Sequence, residues 1–206
     1  MSTRESPQAR EEEIMNACEK LYKTMSFKEI TLKEIGKETT FSRPSIYNYF
    51  QTKEEIFLAL FRREYERWND ELKTIRDENE RLAKDELAAK IAQSISNRPQ
   101  LLKLLSMNLY DMEANSRPEQ LTAFKTAYGN SMREIRLLLE KFRPDMSASR
   151  IQEFIYVFFP FMIGIYPYTS VTEKQRAAMQ DAGIDYVYHS VCEITYSCIA
   201  GLLEKQ

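Results

Sequence analysis

Glycine and proline are scarce in this chain, with 5 and 7 of 206 residues. Few positions therefore favour tight turns, which disfavours β-hairpins and indicates an all-α protein. The hydrophobic share of 43% and the charged share of 29% are typical of a globular rather than a disordered chain. The length suits one long domain, or a small domain joined to a larger one.

Cysteine and histidine are too rare for a disulfide framework or a metal site. The three cysteines are Cys18, Cys192 and Cys198, they form no Cys-x-x-Cys motif, and His189 is the single histidine. This pattern fits free thiols in a reducing cytosol, and we expect neither a metal nor another cofactor. The sequence also lacks a phosphate-binding glycine loop and a visible nucleophile–base pair, so an enzyme is disfavoured.

No segment of the sequence is a convincing membrane span. The N-terminus has no apolar core of signal-peptide length. The most apolar stretch, residues 151–168, carries Gln152 and Glu153 near its start and contains two prolines. It is also too short and too rich in aromatic residues for a convincing transmembrane helix. We therefore expect a cytoplasmic protein with no membrane partner, in which this stretch is a buried or interface helix.

The charge distribution does not by itself indicate a nucleic-acid-binding protein. The net charge is -2, and residues 1–60 contain nine Lys or Arg against ten Asp or Glu. The first sixty residues are therefore not basic overall. Any recognition of DNA must depend on where individual cations and polar groups lie.

Apolar spacing and capping residues predict three short helices within the first 52 residues. Apolar residues at helical spacing from Ile14 to Met25 predict a first helix of about sixteen residues. Thr31 followed by Glu34 is a capping-box pattern that starts a second, short helix. Ser42 as N-cap, with a proline in the first turn, predicts a third helix over residues 43–50.

Longer helices follow. Thr52 is another N-cap, and the apolar pattern to Ile75 predicts a fourth helix of about 24 residues, roughly 36 Å long. The remaining pattern predicts helices near 84–96, 99–112, 118–142, 147–166 and 185–204, with a short helical turn near 172–182. We expect about nine helices, divided into a DNA-binding domain at 1–52 and a helical domain at 53–206.

Three short helices with a tight turn between the second and third have the geometry of a DNA-binding helix-turn-helix. In the third helix, Ile46 and Phe50 are predicted to face inward. The residues predicted to face outward carry groups that reach base edges and phosphates: Arg43, Ser45, Tyr47, Asn48 and Tyr49.

At these residues the chain resembles the TetR family of bacterial regulators. The resemblance covers about residues 10–58 and rests on Thr31-x-x-x-Ile35, on Ile14, Ala17 and Leu21, and on Ser42-Arg43-x-x-Ile46-Tyr47-x-Tyr49-Phe50-x-x-Lys53-Glu54-Glu55. It implies that Thr31 contacts a phosphate, that Arg43, Pro44, Ser45 and Asn48 contact bases, and that Tyr47, Tyr49 and Lys53 contact the DNA backbone. Ser42 completes the predicted DNA-binding set.

Other interpretations of these residues stay open. Thr31, Ser42 and Thr52 are also explained as helix caps alone, and Tyr47 and Tyr49 as packing on the domain surface. The chain departs from the family in the turn, where Thr39-Thr40 replaces the usual small residue and glycine. Because that turn often needs a positive φ, which disfavours β-branched residues, we expect it to be reshaped.

The second domain is rich in aromatic residues, with seven among the fifteen from Phe154 to Tyr168. The resemblance implies a homodimer formed by the last two long helices, and the predicted interface residues are Phe154, Phe161, Tyr168, Tyr188, His189, Cys192 and Tyr196. A ligand pocket is the other use for aromatics. Its predicted walls are Trp68, Leu105, Leu109, Tyr110, Phe124, Tyr128, Phe158, Met162 and Tyr166. Core packing alone also explains each of these residues.

Together these features predict a ligand-responsive regulator in the bacterial cytoplasm. We expect a homodimeric repressor that leaves a palindromic double-stranded DNA operator when it binds an apolar or amphipathic small-molecule inducer. The inducer itself is unknown. A DNA-binding protein without small-molecule input is the alternative.

Overall fold

The structure, a computed structural model, describes residues 6–40, 43–107 and 109–204. These ranges contain eleven helices and no strand, which confirms the all-α prediction. The helices are α1 (Pro7–Tyr22), α2 (Leu32–Lys37), α3 (Arg43–Ile46), α4 (Lys53–Glu78), α5 (Lys84–Ser96), α6 (Pro99–Leu105), α7 (Leu109–Ala114), α8 (Pro118–Phe142), α9 (Ala148–Thr169), α10 (Glu173–Asp181) and α11 (Val191–Glu204).

Capping residues fix where the early helices begin. The Ser6 hydroxyl accepts a hydrogen bond from the Ala9 N–H at 3.2 Å, and Pro7 occupies the first turn of α1. The Thr31 hydroxyl accepts from the Glu34 N–H at 3.3 Å, as its predicted N-cap role requires. The 16-residue length of α1 also agrees with the apolar pattern.

Three predicted helices differ from the structure in extent. The third helix, predicted over 43–50, is a regular helix only from Arg43 to Ile46 and continues as a turn. The helix predicted over 99–112 is divided, because α6 ends at Leu105 and α7 begins at Leu109. The last helix begins at Val191 rather than 185. Its start is a capping box in which the Ser190 hydroxyl accepts from the Glu193 N–H at 3.2 Å and the Glu193 carboxylate accepts from the Ser190 N–H at 2.7 Å.

The described chain forms two compact units. The first contains the residues up to Arg63 together with those from Leu109 to Tyr128, and the second contains the rest. The chain therefore divides inside α4 and inside α8, and not at residue 52. The functional division at 52 stays a prediction.

The first unit has a core in which α1 packs on α2 and α2 packs on α3. Edge-to-face contacts join Phe57 to Tyr22 and to Phe27, with ring centroids 5.1 and 4.8 Å apart. Arg63 lies beside α1, where its guanidinium donates to Glu12 at 2.9 Å and to Glu19 at 2.7 Å. These contacts join α4 to α1 and to the loop after it, and α2 packs in turn on α1.

In the second unit, α11 packs on α5 and α9, and α9 packs on α6. Trp68 is fully buried there, and its indole N–H donates to the Ser94 hydroxyl at 3.0 Å. No single helix in the described ranges is long and apolar enough to cross a membrane. Only α9 and α10 taken together, with a bend of 84° between them, meet that criterion of length and composition.

Candidate nucleic-acid interface

The inward residues of the helix-turn-helix anchor the recognition helix to the first unit. Ile35, Ile46 and Phe50 are all buried. Although α3 itself ends at Ile46, the Tyr49 and Phe50 N–H groups both donate to the Ile46 carbonyl, at 2.9 and 3.0 Å. The chain thus continues through a further tight turn to Phe50, and we call α3 together with this turn the recognition helix.

The outward residues leave polar and apolar groups on the surface for DNA. Pro44, Tyr47 and Asn48 are exposed, and Ser45 and Tyr49 are half-buried. An amide and phenolic hydroxyls at such positions are able to contact base edges and phosphates. Ser42 and the side chain of Arg43 lie outside the described residues.

Thr31 lies on the surface at the start of α2, where its hydroxyl already has local partners. It accepts from the Glu34 N–H and is hydrogen-bonded to the Glu34 carboxylate. The capping prediction is therefore confirmed. A phosphate contact would have to share this hydroxyl, and it stays a prediction.

Lys53 is half-buried and holds the loop between α1 and α2. Its ammonium donates to the carbonyls of Phe27 at 2.8 Å and Ile30 at 3.3 Å, and it lies 4.0 Å from the centre of the Phe27 ring. An ammonium has three N–H donors, so these contacts occupy most of its capacity. The predicted phosphate contact is thus accompanied by a structural role that the sequence did not indicate.

The Thr39-Thr40 turn does not need the backbone conformation that favours glycine. Neither threonine has a positive φ. The Thr39 hydroxyl donates to the Gly36 carbonyl at 3.1 Å, and the Thr40 N–H donates to the Glu13 carboxylate of α1. Side-chain hydrogen bonds therefore stabilise this part of the turn, and a reshaping relative to the family stays a prediction.

Arg117, just before α8, belongs to the first unit and contacts the end of the recognition helix. Sequence reasoning missed it. It lies more than sixty residues after the helix-turn-helix, and an arginine before a proline resembles an ordinary helix start. No local pattern connects it with the DNA-binding residues.

The predicted pocket residues are divided between the two units. In the second unit Trp68, Leu105, Phe158 and Met162 are buried and Tyr166 is half-buried. In the first unit Phe124 is buried and stacks on Phe61, with ring centroids 5.1 Å apart, while Leu109 and Tyr128 are half-buried. Tyr110 is 84% exposed, so in this structure its side chain faces solvent rather than an enclosed wall.

The predicted interface residues also differ in exposure. Phe154 is only 1% exposed and packs on Phe158 with ring centroids 5.6 Å apart, so it belongs to the core of the second unit instead of its surface. Tyr168 is 60% exposed, and His189 is also exposed, with Nδ1 4.0 Å from the Glu193 carboxylate. The half-buried members are Phe161, Tyr188, Cys192 and Tyr196.

An anchored helix pair with polar groups on its outward face, carried by an all-helical chain, is the arrangement typical of helix-turn-helix DNA-binding proteins. Two family models match the chain. The one described as bacterial regulatory proteins of the tetR family covers residues 14–60, and the one described as tetracyclin repressor-like, C-terminal domain, covers 62–189. The chain belongs to the TetR family of transcriptional regulators.

Individual relatives agree with this assignment. The chain is 31% identical over 154 residues to the uncharacterized HTH-type transcriptional regulator YfiR of Bacillus subtilis (strain 168), covering 74% of this chain and 67% of that protein. It is similar in fold to FadR of Bacillus halodurans, a fatty acid degradation regulator, with a TM-score of 0.61, 14% identity and coverage of 95% and 98%.

Further solved structures share the fold. A TetR transcriptional regulator from Rhodococcus sp. RHA1 gives a TM-score of 0.60 at 13% identity, covering 97% of this chain and 98% of that one. FadR from Bacillus subtilis in complex with stearoyl-CoA gives 0.59 at 13% identity, covering 94% and 97%. The family consists of transcriptional regulators and not of enzymes, and no cluster of metal-ligating side chains occurs within the described residues.

Proposed function

We propose that the protein is a homodimeric repressor that leaves a palindromic operator when an apolar or amphipathic small molecule binds its second unit. The outward face of the recognition helix carries this proposal. Its exposed Pro44, Tyr47 and Asn48 offer groups for a major groove, above buried anchors that hold the helix in place.

The exposed face of α9 supports dimerisation. Tyr156, Val157, Ile163 and Tyr168 are exposed apolar or aromatic residues on that helix. An adjoining groove of about 360 Å³ is lined by residues of α9, α11 and the segment between them, including Phe161, Tyr186 and Ile194. Contiguous apolar surface of this kind is typical of interaction sites and supports the proposed interface. Gly164 lies within it with no atom near the place of a Cβ, which leaves room for close approach.

A charge at the centre of this face tests the dimer. Ile163→Glu is expected to convert the protein to monomers in sedimentation-velocity runs, because an unpaired carboxylate is costly to bury in an apolar interface. Ala177→Glu places the same charge on the exposed α10 and is the matched control. If Ile163→Glu stays dimeric at micromolar concentration, α9 is not the interface.

Small-molecule control is supported by the aromatic content of the second unit and by FadR from Bacillus subtilis, whose solved complex contains stearoyl-CoA. Trp68, Phe158 and Met162 supply apolar side chains of the type that line such sites. We therefore place the inducer in the amphipathic class, with a long apolar part.

Selection of genomic DNA fragments by the purified protein tests the operator. The bound fragments are expected to share a palindrome with half-sites spaced by whole helical turns. Release of that DNA is then measured by fluorescence anisotropy with stearoyl-CoA, shorter acyl-CoAs and free fatty acids. Release by at least one compound supports the repressor. Selective binding with no release by any of them favours the alternative without small-molecule input.

A further inference from the structure

Arg117 contacts the recognition helix from a distant part of the sequence. Its guanidinium donates to the Tyr49 carbonyl at 2.9 Å. It also donates to the two carboxylate oxygens of Glu55, at 2.7 and 2.9 Å, and its backbone N–H donates to Glu55 at 3.0 Å. Arginine is suited to this arrangement because its planar group offers several donors in a fixed fork.

Glu55 extends this contact to the next turn of the chain. Its side chain is only 1% exposed, and it accepts a further hydrogen bond from the Gln51 N–H at 2.7 Å. Burial alone would raise the pKa of the Glu55 carboxyl. The hydrogen bonds from Arg117 and Gln51 outweigh this effect, hold the pKa below its usual range and keep the group charged.

A further hydrogen bond, made by another pair of residues, joins the same two segments. The Thr52 hydroxyl donates to the Asn115 carbonyl at 2.9 Å. The chain from Tyr49 to Glu55, which leaves the recognition helix and enters α4, is therefore bonded at four residues. The partners outside this stretch, Asn115 and Arg117, both belong to the short segment before α8. We call the six residues Tyr49, Gln51, Thr52, Glu55, Asn115 and Arg117 the clasp.

The clasp lies where the recognition helix most needs outside support. α3 has only four residues in its regular part, and beyond it the chain continues as a tight turn through Tyr49. Like the last carbonyls of a helix, the carbonyls of this turn have no following helical turn to donate to them. The Tyr49 carbonyl receives its hydrogen bond from Arg117 instead. The hydrogen bonds between Arg117 and Glu55 join two charged groups, and such bonds are stronger than those between neutral groups. The Glu55 side chain is also almost fully buried.

We infer that Arg117 is a positioning residue for DNA recognition, which fixes the recognition helix and links its position to α8. This inference rests on the proposed function only in taking the outward face of that helix as the DNA-binding surface. Pro118, the next residue, begins α8, which is continuous to Phe142. A displacement at the start of α8 would therefore act directly on residues 49–55.

Arg117→Ala tests this role without DNA. Hydrogen–deuterium exchange is expected to become at least about tenfold faster for amides in residues 48–52, because the bonds that hold this turn are lost. Arg143→Ala is the matched control. Arg143 has the same two kinds of partner, the Asp145 carboxylate at 2.6 Å and the Leu203 carbonyl at 3.1 Å, but it lies in the second unit. It should leave exchange in residues 48–52 unchanged.

The difference between binding to selected DNA and binding to scrambled DNA is the readout that a loss of stability alone would not change. Arg117→Ala is expected to weaken binding to a duplex selected by the wild-type protein about tenfold, the range of one lost base contact. Binding to a scrambled duplex and the salt dependence of binding should stay unchanged, because the phosphate contacts remain.

Glu55→Gln removes the charge from the other side of the clasp and should reproduce this loss of specificity. It serves as the second variant if Arg117→Ala does not fold. Unchanged operator affinity in a folded variant overturns the inference. So does a salt slope reduced by about one, because Arg117 would then contact a phosphate itself. If the wild-type protein selects no DNA, the proposed function fails, while the exchange experiment still decides whether the clasp holds the helix.

Discussion

The two units of this protein use their side chains differently. In the helix-turn-helix, apolar residues are anchors and polar residues are caps, loop supports or surface groups, so that Ile46 is buried and Asn48 is exposed. In the second unit, the aromatic residues of α9 are both buried and exposed, since Phe154 is in the core while Tyr168 faces solvent. Spacing of residue types therefore predicts roles in the first unit, whereas in the second only the folded structure separates them.

The largest expected effect is the loss of Trp68. Its ring is fully buried 5.9 Å from Phe159 and 6.5 Å from Phe158, measured between centroids. Trp68→Ala should lower the free energy of unfolding by about 3–5 kcal/mol, because it leaves a large cavity. Urea denaturation followed by circular dichroism measures this change.

Trp68→Phe separates packing from hydrogen bonding at the same position. It keeps an aromatic ring but removes the bond to Ser94, and should cost clearly less than the alanine variant. If Trp68→Ala lowers the unfolding free energy by less than about 1 kcal/mol, this residue does not anchor the second unit's core.

In the first unit, Glu55 makes stability depend on pH. A carboxyl whose pKa is lowered on folding stabilises the protein above its usual pKa of 4.5, and this contribution is lost as the pH falls through the lower folded value. Glu55→Gln should cost about 2 kcal/mol at pH 7, the range for a charged hydrogen-bonded group. The difference between the two proteins should shrink below pH 4.5, and a difference that is constant from pH 7 to 3 would contradict this account.

Asn48 tests whether different residues of the helix-turn-helix contact DNA and stabilise the fold. Asn48→Ala should weaken operator binding by about 1–3 kcal/mol, as expected for a lost base contact. Its free energy of unfolding should stay within about 0.5 kcal/mol of the wild type, because the side chain is exposed. Gln180→Ala removes an exposed amide from α10 and should change neither quantity. Equal operator affinity for both variants would remove Asn48 from the DNA-binding set.

The smallest expected effect concerns the turn between α2 and α3. Thr40→Gly removes an exposed side chain at a position whose φ is negative, so the glycine only adds freedom to the unfolded chain. It should lower the unfolding free energy by about 0.5–1 kcal/mol. A stabilising result in thermal denaturation would show that the turn prefers the glycine common in the family.

Much of the fold follows from local patterns. The bounds of α5 and α8 agree with the predicted 84–96 and 118–142, because each has a clear apolar period and a break at both ends. The start of α11 was missed although its signal was present. Ser190 and Glu193 form a capping box, and this local pattern indicates a helix that begins at residue 191.

Other features had no local signal. The contact of Arg117 with Tyr49 joins residues 68 positions apart, and no spacing rule covers that separation. Lys53 was predicted to contact phosphate because of its place in the family motif, yet its partners are carbonyls of an earlier loop. The sequence gives no indication that Tyr110 is exposed, since an aromatic residue on a helix usually lies in a core or a pocket.

The pairing of lysines inside the first unit has a consequence for how an operator is found. Lys20 pairs with Glu38, Lys37 pairs with Glu34 at 3.3 Å, and Lys53 is bonded to carbonyls. We expect this pairing to weaken the attraction to phosphates that does not depend on base sequence, and so to shorten the time spent on DNA outside the operator. The expected consequence is that fewer molecules are held on competing sites, which leaves more of them to occupy the operator.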